Sequence, residues 1–459
     1  MMMQLIKENI SKFKIQDYLG KNFTCDCGRE HTVEIENVII ENGAINKMPE
    51  VLKLLHYNKV FLVADTNTYK AAGEQVENVI IGNGFELKKH VYKRDDDLVP
   101  DEVTIGEFII NYYNDADVIV AVGSGVLNDL CKFMSYKLNT PYIIVATAPS
   151  MDGYASIGSA LSIENLKTTV SGEVPKAIIG DVDVLKDAPL DMIRAGFGDM
   201  VGKYSAINDW KLGKMVNDEY YCDYVSGMVM HSLKKCMETA EGLENRENEA
   251  IRNLMEGLVL TGIAMSFTGN SRPASGSEHH LSHFVEMMYL FDKKQAPPHG
   301  VKVGFNTIVM NYIRQRLSES NPDINEVLKK ASSFNKDKWT DDVKRLFRQA
   351  APGVIHLNEN EGINSYDKRV ERVKRIIDNW EEFASLLKEV PHHEEIREIL
   401  KRIGAPISLK ELNVDKETII NGLVYAKEVR KRYTVLQLAW DLGLLDDIAT
   451  EMESSFFNE

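Results

Sequence analysis

The chain has 459 residues, 44% hydrophobic and 27% charged, which is the balance of a globular protein. Its length exceeds one ordinary core, so two domains are expected. The formal net charge of −15 argues against nucleic acid or an anionic membrane surface as main partner, while leaving room for a small anionic substrate in a local pocket.

No segment approaches the run of about 18 apolar residues that a membrane-spanning helix needs. The start, MMMQLIKENISKFKI, lacks the apolar stretch and small-residue cleavage site of a signal peptide, so a cytoplasmic location is expected. Five cysteines, an odd number, suit a reducing compartment better than a disulfide framework.

In chain order, Cys25-Asp-Cys27-Gly28 with His31 nearby comes first. Its Cys-x-Cys spacing admits a metal but shows no evident fourth ligand, so a tight surface turn carrying reduced thiols is the favoured reading. Val33 to Ile40 reads as a strand. Val60 to Ala64, Val118 to Val122 and Tyr142 to Val145 read as buried parallel strands, and the alternating Phe85 to Tyr92 as a strand nearer the sheet edge. Helical stretches fall between them, within Asn67 to Asn83, at Val103 to Asn114 and at Leu127 to Leu138. Strands alternating with helices indicate a doubly wound, Rossmann-like α/β domain, set at 1–188. Ser156 to Val184 reads as a hairpin-like extension ending in AIIGDVDVL.

From 189 to 459 the pattern is helical almost throughout, an all-α domain with extended C-terminal helices. Asp209 to Met215, Tyr221 to Glu241, Glu247 to Thr268 and Ser277 to Leu290 carry apolar residues at three- and four-residue spacing. The charges of Asp367 to Glu389 and His393 to Ile403 read as solvated faces.

Three turns of the α/β half point to a nucleotide. The strand ending at Val122 runs into Gly123-Ser124-Gly125-Val126-Leu127 and a helix, where glycines admit a pyrophosphate and the helix start favours its charge. Asp129, in the first helical turn, fits dipole compensation as well. Asp65, at the end of VFLVA, could accept from an adenosine ribose and would repel a 2′-phosphate, which leans to NAD over NADP; a helix N-cap fits it equally. Thr147, Ser150, Asp152 and Ser156 follow the strand YIIVA, at the edge where ligands bind in open sheets.

The helical half points to a metal. Ser277 to Gly304 reads SEHHLSHFVEMMYLFDKKQAPPHGVKVG and holds four of the 11 histidines. His279 and His283 share a helical face, and His299 follows a Pro-Pro pair at an expected helix start. His280 lies roughly 100° away from His279 and is set aside as a neighbour or surface residue. Imidazoles on two successive helices make an open metal site once a carboxylate joins them, and Asp199 in AGFGDM is the candidate.

CDCGREH, VADTNTY, VGSGVLNDLCK, TAPSMDGYAS, RAGFGDMVGKY and RPASGSEHHLSH through PPHGVKVG together resemble the sn-glycerol-1-phosphate dehydrogenase family, of the dehydroquinate-synthase-like and iron-containing alcohol dehydrogenase group. The resemblance covers about 20–310. It implies a dehydroquinate-synthase-like fold and NAD(P)H-dependent reduction of dihydroxyacetone phosphate to sn-glycerol 1-phosphate. It further implies that Asp65, Gly123, Ser124, Gly125, Val126, Leu127, Thr147, Ser150 and Ser156 contact NAD or NADP. Asp152, Asp199 and His283 would contact substrate, with Asp199 and His283 catalytic, and Asp199, His279 and His299 would hold one divalent ion. Zinc or nickel leads, with iron admitted.

Two departures stand out: Gly-Ser-Gly where the family more often has three glycines, and the long spacer between His283 and His299. Lys203 and Arg272 are the candidate cations for a substrate phosphate, each with a surface ion pair as its alternative. A homo-oligomer, a dimer first, is expected from the long apolar helical faces. The competing functions are a glycerol or other polyol dehydrogenase, a cyclase of the dehydroquinate synthase type, and a catalytically silent metal- and nucleotide-binding subunit.

Overall fold

The apolar runs pair side by side. The computed structural model describes residues 14–94, 97–163 and 166–458. Strands β3 (Asn37–Glu41), β4 (Lys59–Asp65), β5 (Glu86–Tyr92), β6 (Val118–Gly123), β7 (Tyr142–Ala146) and β10 (Ala177–Asp181) form one parallel sheet in the order β3-β10-β7-β6-β4-β5. From β4 the chain steps outward to β5, then returns past β4 to β6 and proceeds the other way. The order therefore reverses between β4 and β6, the crevice where open α/β sheets bind ligands.

Strands β6, β7 and β10 are buried at every residue, as near-continuous Val and Ile runs require when helices cover both faces. Strand β5 is the edge strand its alternation predicts. Two readings change. Val33 to Ile40 is not one strand: β2 (Glu30–Thr32) pairs with β1 (Asn22–Thr24) in a separate hairpin, and β3 starts only at Asn37. Of the expected extension, β8 (Gly158–Ile163) and β9 (Leu166–Ser171) do form a hairpin, but AIIGD is an interior strand of the main sheet, between β3 and β7.

The chain divides into two compact units, one of residues 1–200 with 223–271, the other of 201–222 with 272–459. This differs from a cut at 188. Helices α1 (Asp223–Glu238) and α2 (Asn248–Thr268) belong with the sheet because α2 packs on the turn that follows β7. A Cβ on Gly262 of α2 would sit 2.9 Å from both the Ala155 amide nitrogen and the Asp152 carbonyl oxygen, so only glycine permits that approach. Ser266 of α2 adds a 2.8 Å hydrogen bond to the Ala155 carbonyl.

The second unit is helical. Helices α3 (Lys203–Asn217), α4 (Ser277–Phe291) and α5 (His299–Ser318) meet around a buried ion pair, Arg314–Asp209 at 2.6 Å. Asp209 also accepts from the Ser277 and Val435 amides, so it ties α3 to the start of α4 and to the C-terminal region. The tail beyond 330 is an integral layer: Gly422 packs on Leu281 and Phe284 of α4, and Asn208 donates to the Leu386 carbonyl. Not all of its charges are solvated, because Arg372 is buried in a two-pronged bond to Asp441, both at 2.7 Å.

Candidate active site

In the first unit the three predicted turns lie at the carboxyl ends of β4, β6 and β7, beside the strand-order reversal. Asp65 caps the short helix that follows β4, its carboxylate accepting from the Thr68 amide at 2.8 Å. The cap uses one oxygen of the carboxylate.

Ser124 has φ −112°, an extended value open to any L residue, so Gly-Ser-Gly keeps the turn that three glycines would make. Gly125 opens a 14-residue helix, Gly125–Leu138, whose first amides face the turn. A Cβ on Gly123 would lie 2.5 Å from the Leu127 side chain. Leu127 is thus buried against Gly123, and Val126 beside it is half-buried. The Thr147 amide donates to the Gly123 carbonyl at 3.1 Å, locking the two turns together.

Lys132 was not singled out in the sequence, where it reads as one more helical lysine. It is fully buried, and its ammonium donates to the carbonyls of Gly153 (2.8 Å) and Gly158 (2.9 Å) and to Ser156 Oγ (3.3 Å), beside Asp129 at 3.3 Å. Burial lowers its pKa against the pull of Asp129. It pins the turn that carries Ser156, and it gives Asp129 a partner. Ser150 lies half-buried in the same turn. The Asp152 amide donates to Asp199 Oδ2 at 3.1 Å, so the two acidic residues expected at the substrate adjoin one another. Asp199 is buried.

In the second unit the three histidines converge. Ring centroids are 5.1 Å apart for His279–His299, 5.3 Å for His283–His299 and 6.1 Å for His279–His283. Helix α5 begins at His299, with Pro298 as N-cap. His279 Nδ1 lies 2.7 Å from Glu278 Oε1, and His299 Nδ1 lies 2.8 Å from Glu286 Oε1. Glu286 reaches His283 Nδ1 with its other oxygen, at 3.3 Å, and Lys302 stands 3.3 Å from it.

Burial drives the Glu278 carboxyl upward, but hydrogen bonds from His279, Ser205 and the Gly276 amide outweigh it and hold Glu278 below the usual glutamate range. Burial pushes the His283 imidazole down to about 3, against the upward pull of Glu286. His283 is therefore neutral at pH 7. Neither glutamate was given a role in the sequence reading. Their signal was position, one adjoining His279 and the other three residues after His283.

His280 is not a surface residue. It is fully buried, and neither ring nitrogen has a hydrogen-bond partner among the described residues. Burial lowers its pKa, and the nearby charges of Arg430, Arg432 and Arg272 lower it further. Arg272 is committed to Glu219 by two bonds (2.8 and 2.6 Å) and to the Tyr433 carbonyl (2.8 Å). Lys203 is fully buried and donates to the Ala274 carbonyl at 3.0 Å. Arg432 reaches the Ser275 carbonyl at 3.4 Å. Arg430, half-buried, makes no ion pair among the described residues, and burial lowers its pKa.

Residues 39–189 match the iron-containing alcohol dehydrogenase family. The chain is similar to the glycerol-1-phosphate dehydrogenase (NAD(P)+) of Halalkalibacterium halodurans, 34% identical over 418 residues, covering 90% of this chain and 94% of that one. It is likewise similar to the enzyme of that name from Geobacillus stearothermophilus, 32% identical over 416 residues, with 90% and 94% covered. Among solved structures, glycerol dehydrogenase from Schizosaccharomyces pombe shares the fold, with a TM-score of 0.57 at 15% identity over 93% of each chain.

Proposed function

Because this chain belongs to the glycerol-1-phosphate dehydrogenase family, within the iron-containing alcohol dehydrogenases, we propose that its two histidine–carboxylate pairs serve a divalent ion at the seat of that family's reaction. The chain is an NAD(P)-dependent, metal-dependent oxidoreductase acting on a CH–OH group, interconverting dihydroxyacetone phosphate and sn-glycerol 1-phosphate. The observation that carries the metal reading is the orientation of the imidazoles. Each Nδ1 of His279 and His299 is held by a carboxylate, which fixes the tautomer and leaves Nε2 as the ligand atom. Asp199 is the carboxylate we assign to the same ion. Two imidazoles and one carboxylate suit zinc or nickel first, and iron(II) also.

When bound, the ion polarises the substrate oxygen and the nicotinamide carries the hydride. The remaining work falls to side chains. Glu286 holds the His283 Nδ1 proton, so the neutral His283 offers Nε2 as acceptor to the substrate hydroxyl. Asp152 and Asp199 supply the other polar contacts to substrate. Lys132 fixes the turn bearing Ser156, and the turn from Gly123 to Leu127 receives the pyrophosphate on backbone amides. Asp65, Thr147 and Ser150 complete the dinucleotide contacts.

A phosphorylated substrate needs cations. Arg272 is paired with Glu219, and Lys203 is occupied by a carbonyl, so both act in positioning. Arg430 and Arg432 stand within charge range of buried His280, whose ring has no partner among the described residues. We assign the substrate phosphate to these two arginines, with a His280 nitrogen as donor. The half-buried Arg430 guanidinium, with no ion pair among the described residues, is costly unless an anion completes it.

A cytoplasmic homodimer completes the reading. The apolar residues Val103 and Ile110, seven apart on the helix Glu102–Asn111, are 70% and 84% exposed and form our candidate subunit contact. NADH oxidation measured in parallel with dihydroxyacetone phosphate, dihydroxyacetone and other ketones tests the function. Turnover with the phosphate ester that disappears on chelation and returns with added divalent ion is the expected result. Tight NADH binding with no turnover on any ketone would instead favour the silent subunit.

A further inference from the structure

The Cys25–His31 turn lies outside the catalytic machinery, yet its geometry is that of a metal site. Strands β1 and β2 have three residues each, with Phe23 opposite His31. Such a hairpin is too short to hold itself together in water. The Cys25 amide donates to the Arg29 carbonyl and the Gly28 amide to the Cys25 carbonyl, both at 2.9 Å, with Gly28 at φ +83° closing the turn. This places Cys25 diagonal to His31 on one face of the hairpin.

Ligand atoms of Cys25, Cys27 and His31 all lie within 4.8 Å of one another. Cys27 Sγ and His31 Nε2 are 3.5 Å apart. With metal–sulfur near 2.3 Å and metal–nitrogen near 2.0 Å, the edge of a tetrahedral zinc site is about 3.5 Å. His31 is fully buried, and its Nδ1 lies 3.0 Å from the Phe267 carbonyl of α2. That bond fixes the tautomer and aims Nε2 at the thiols, the outer-sphere arrangement of a metal-ligating histidine.

Among the cysteines, one candidate is left for the fourth ligand. Cys131 is buried in the helix behind β6, and Cys236 Sγ donates to the Asn253 carbonyl at 3.3 Å. Cys222 remains. It immediately precedes α1 and stands two residues ahead of Tyr224, whose ring is 5.3 Å from that of Phe23.

We propose that Cys25, Cys27 and His31 bind a structural zinc ion, with Cys222 as the fourth ligand, and that this ion staples the β1–β2 hairpin to the start of α1. Each thiol gives up its proton as its sulfur binds zinc, so no oxidant or reductant is needed. Three thiolates and one imidazole favour zinc over the harder divalent ions.

Metal analysis of His279→Ala protein, purified without added metal, should find about one zinc per chain, since the catalytic ion is lost but this site is intact. Adding Cys27→Ser should remove that zinc. Cobalt-substituted wild-type protein should show thiolate-to-cobalt charge-transfer absorption, lost in Cys27→Ser. If the serine variant does not fold, mercurial titration of the wild-type protein gives the same answer: zinc should be released in step with thiol modification. Thiols that react fully with no zinc released would overturn the site. Unchanged zinc retention in Cys222→Ser, dialysed against a chelator, would overturn the fourth ligand.

Discussion

Gly196 is the position where the smallest change should do the most damage. It lies in the helix Leu190–Val201, which carries Asp199 three residues on. A Cβ added at Gly196 would stand 1.8 Å from the Pro149 carbonyl oxygen and 2.8 Å from its carbon. A carbon–oxygen contact needs about 3.3 Å, so helix and turn must separate by about 1.5 Å. The obstacle is backbone, which no rotamer change can clear. Overpacking of this kind costs about 1–3 kcal/mol, against roughly 1 kcal/mol regained from alanine's helix preference.

Net destabilisation of up to about 2 kcal/mol corresponds to a Tm lower by roughly 2–8 °C for a unit of this size. The functional loss should be larger. The displaced turn carries Asp152, whose amide bonds to Asp199, and a misplacement of about 1 Å can cost 100-fold in rate. We expect Gly196→Ala to lower kcat/KM about 100-fold, with a modest fall in Tm by scanning fluorimetry. Gly82→Ala is the control: its Cβ would meet nothing within 4 Å, so it should leave Tm unchanged or slightly raised. Wild-type kcat/KM and Tm in Gly196→Ala would refute the close approach of helix to turn.

Four further tests bear on the second unit and on assembly. By metal analysis, His279→Ala should lose the catalytic ion, whereas His283→Ala should keep it and lose turnover; full metal content in both would sink the assignment. Glu286→Gln should weaken metal binding about 10- to 100-fold by releasing His299, and unchanged affinity would leave Glu286 with no part in it. Arg430→Gln should raise KM for dihydroxyacetone phosphate far more than KM for dihydroxyacetone, while equal effects on both would remove Arg430 from the phosphate. Light scattering should give the mass of a dimer for the wild-type chain and of a monomer for Ile110→Lys; a monomeric wild type would discard that contact.

What the sequence made legible follows from how the information is stored. Strands β4, β6 and β7 could be read because burial on both sheet faces forces local runs of Val, Ile and Ala. The glycine turn after β6 and the convergence of His279, His283 and His299 were equally local, each within one strand–helix or helix–helix junction. AIIGD looked like the end of an extension because its pairing with β3 and β7 is set by residues far away in the chain. His280 was misjudged for a similar reason. Helical geometry turns it away from the His279 face, but here that direction leads into the protein rather than to solvent, because the tail packs on α4.

The residues that escaped notice share one property: they act on another residue's orientation. Glu278 and Glu286 set imidazole tautomers, Lys132 pins a turn, and the Phe267 carbonyl aims His31. Lysine and glutamate are common on helices, and a carbonyl has no sequence signature at all, so composition cannot distinguish such roles from solvated faces. Burial can. A lysine with no exposure and a glutamate with none each demand a partner that repays their desolvation. In this chain those partners lie at the proposed metal ligands and in the turn bearing Ser156. The buried charges thus mark the same places that the exposed motifs announced, and they extend the candidate site to the groups that hold its ligands in place.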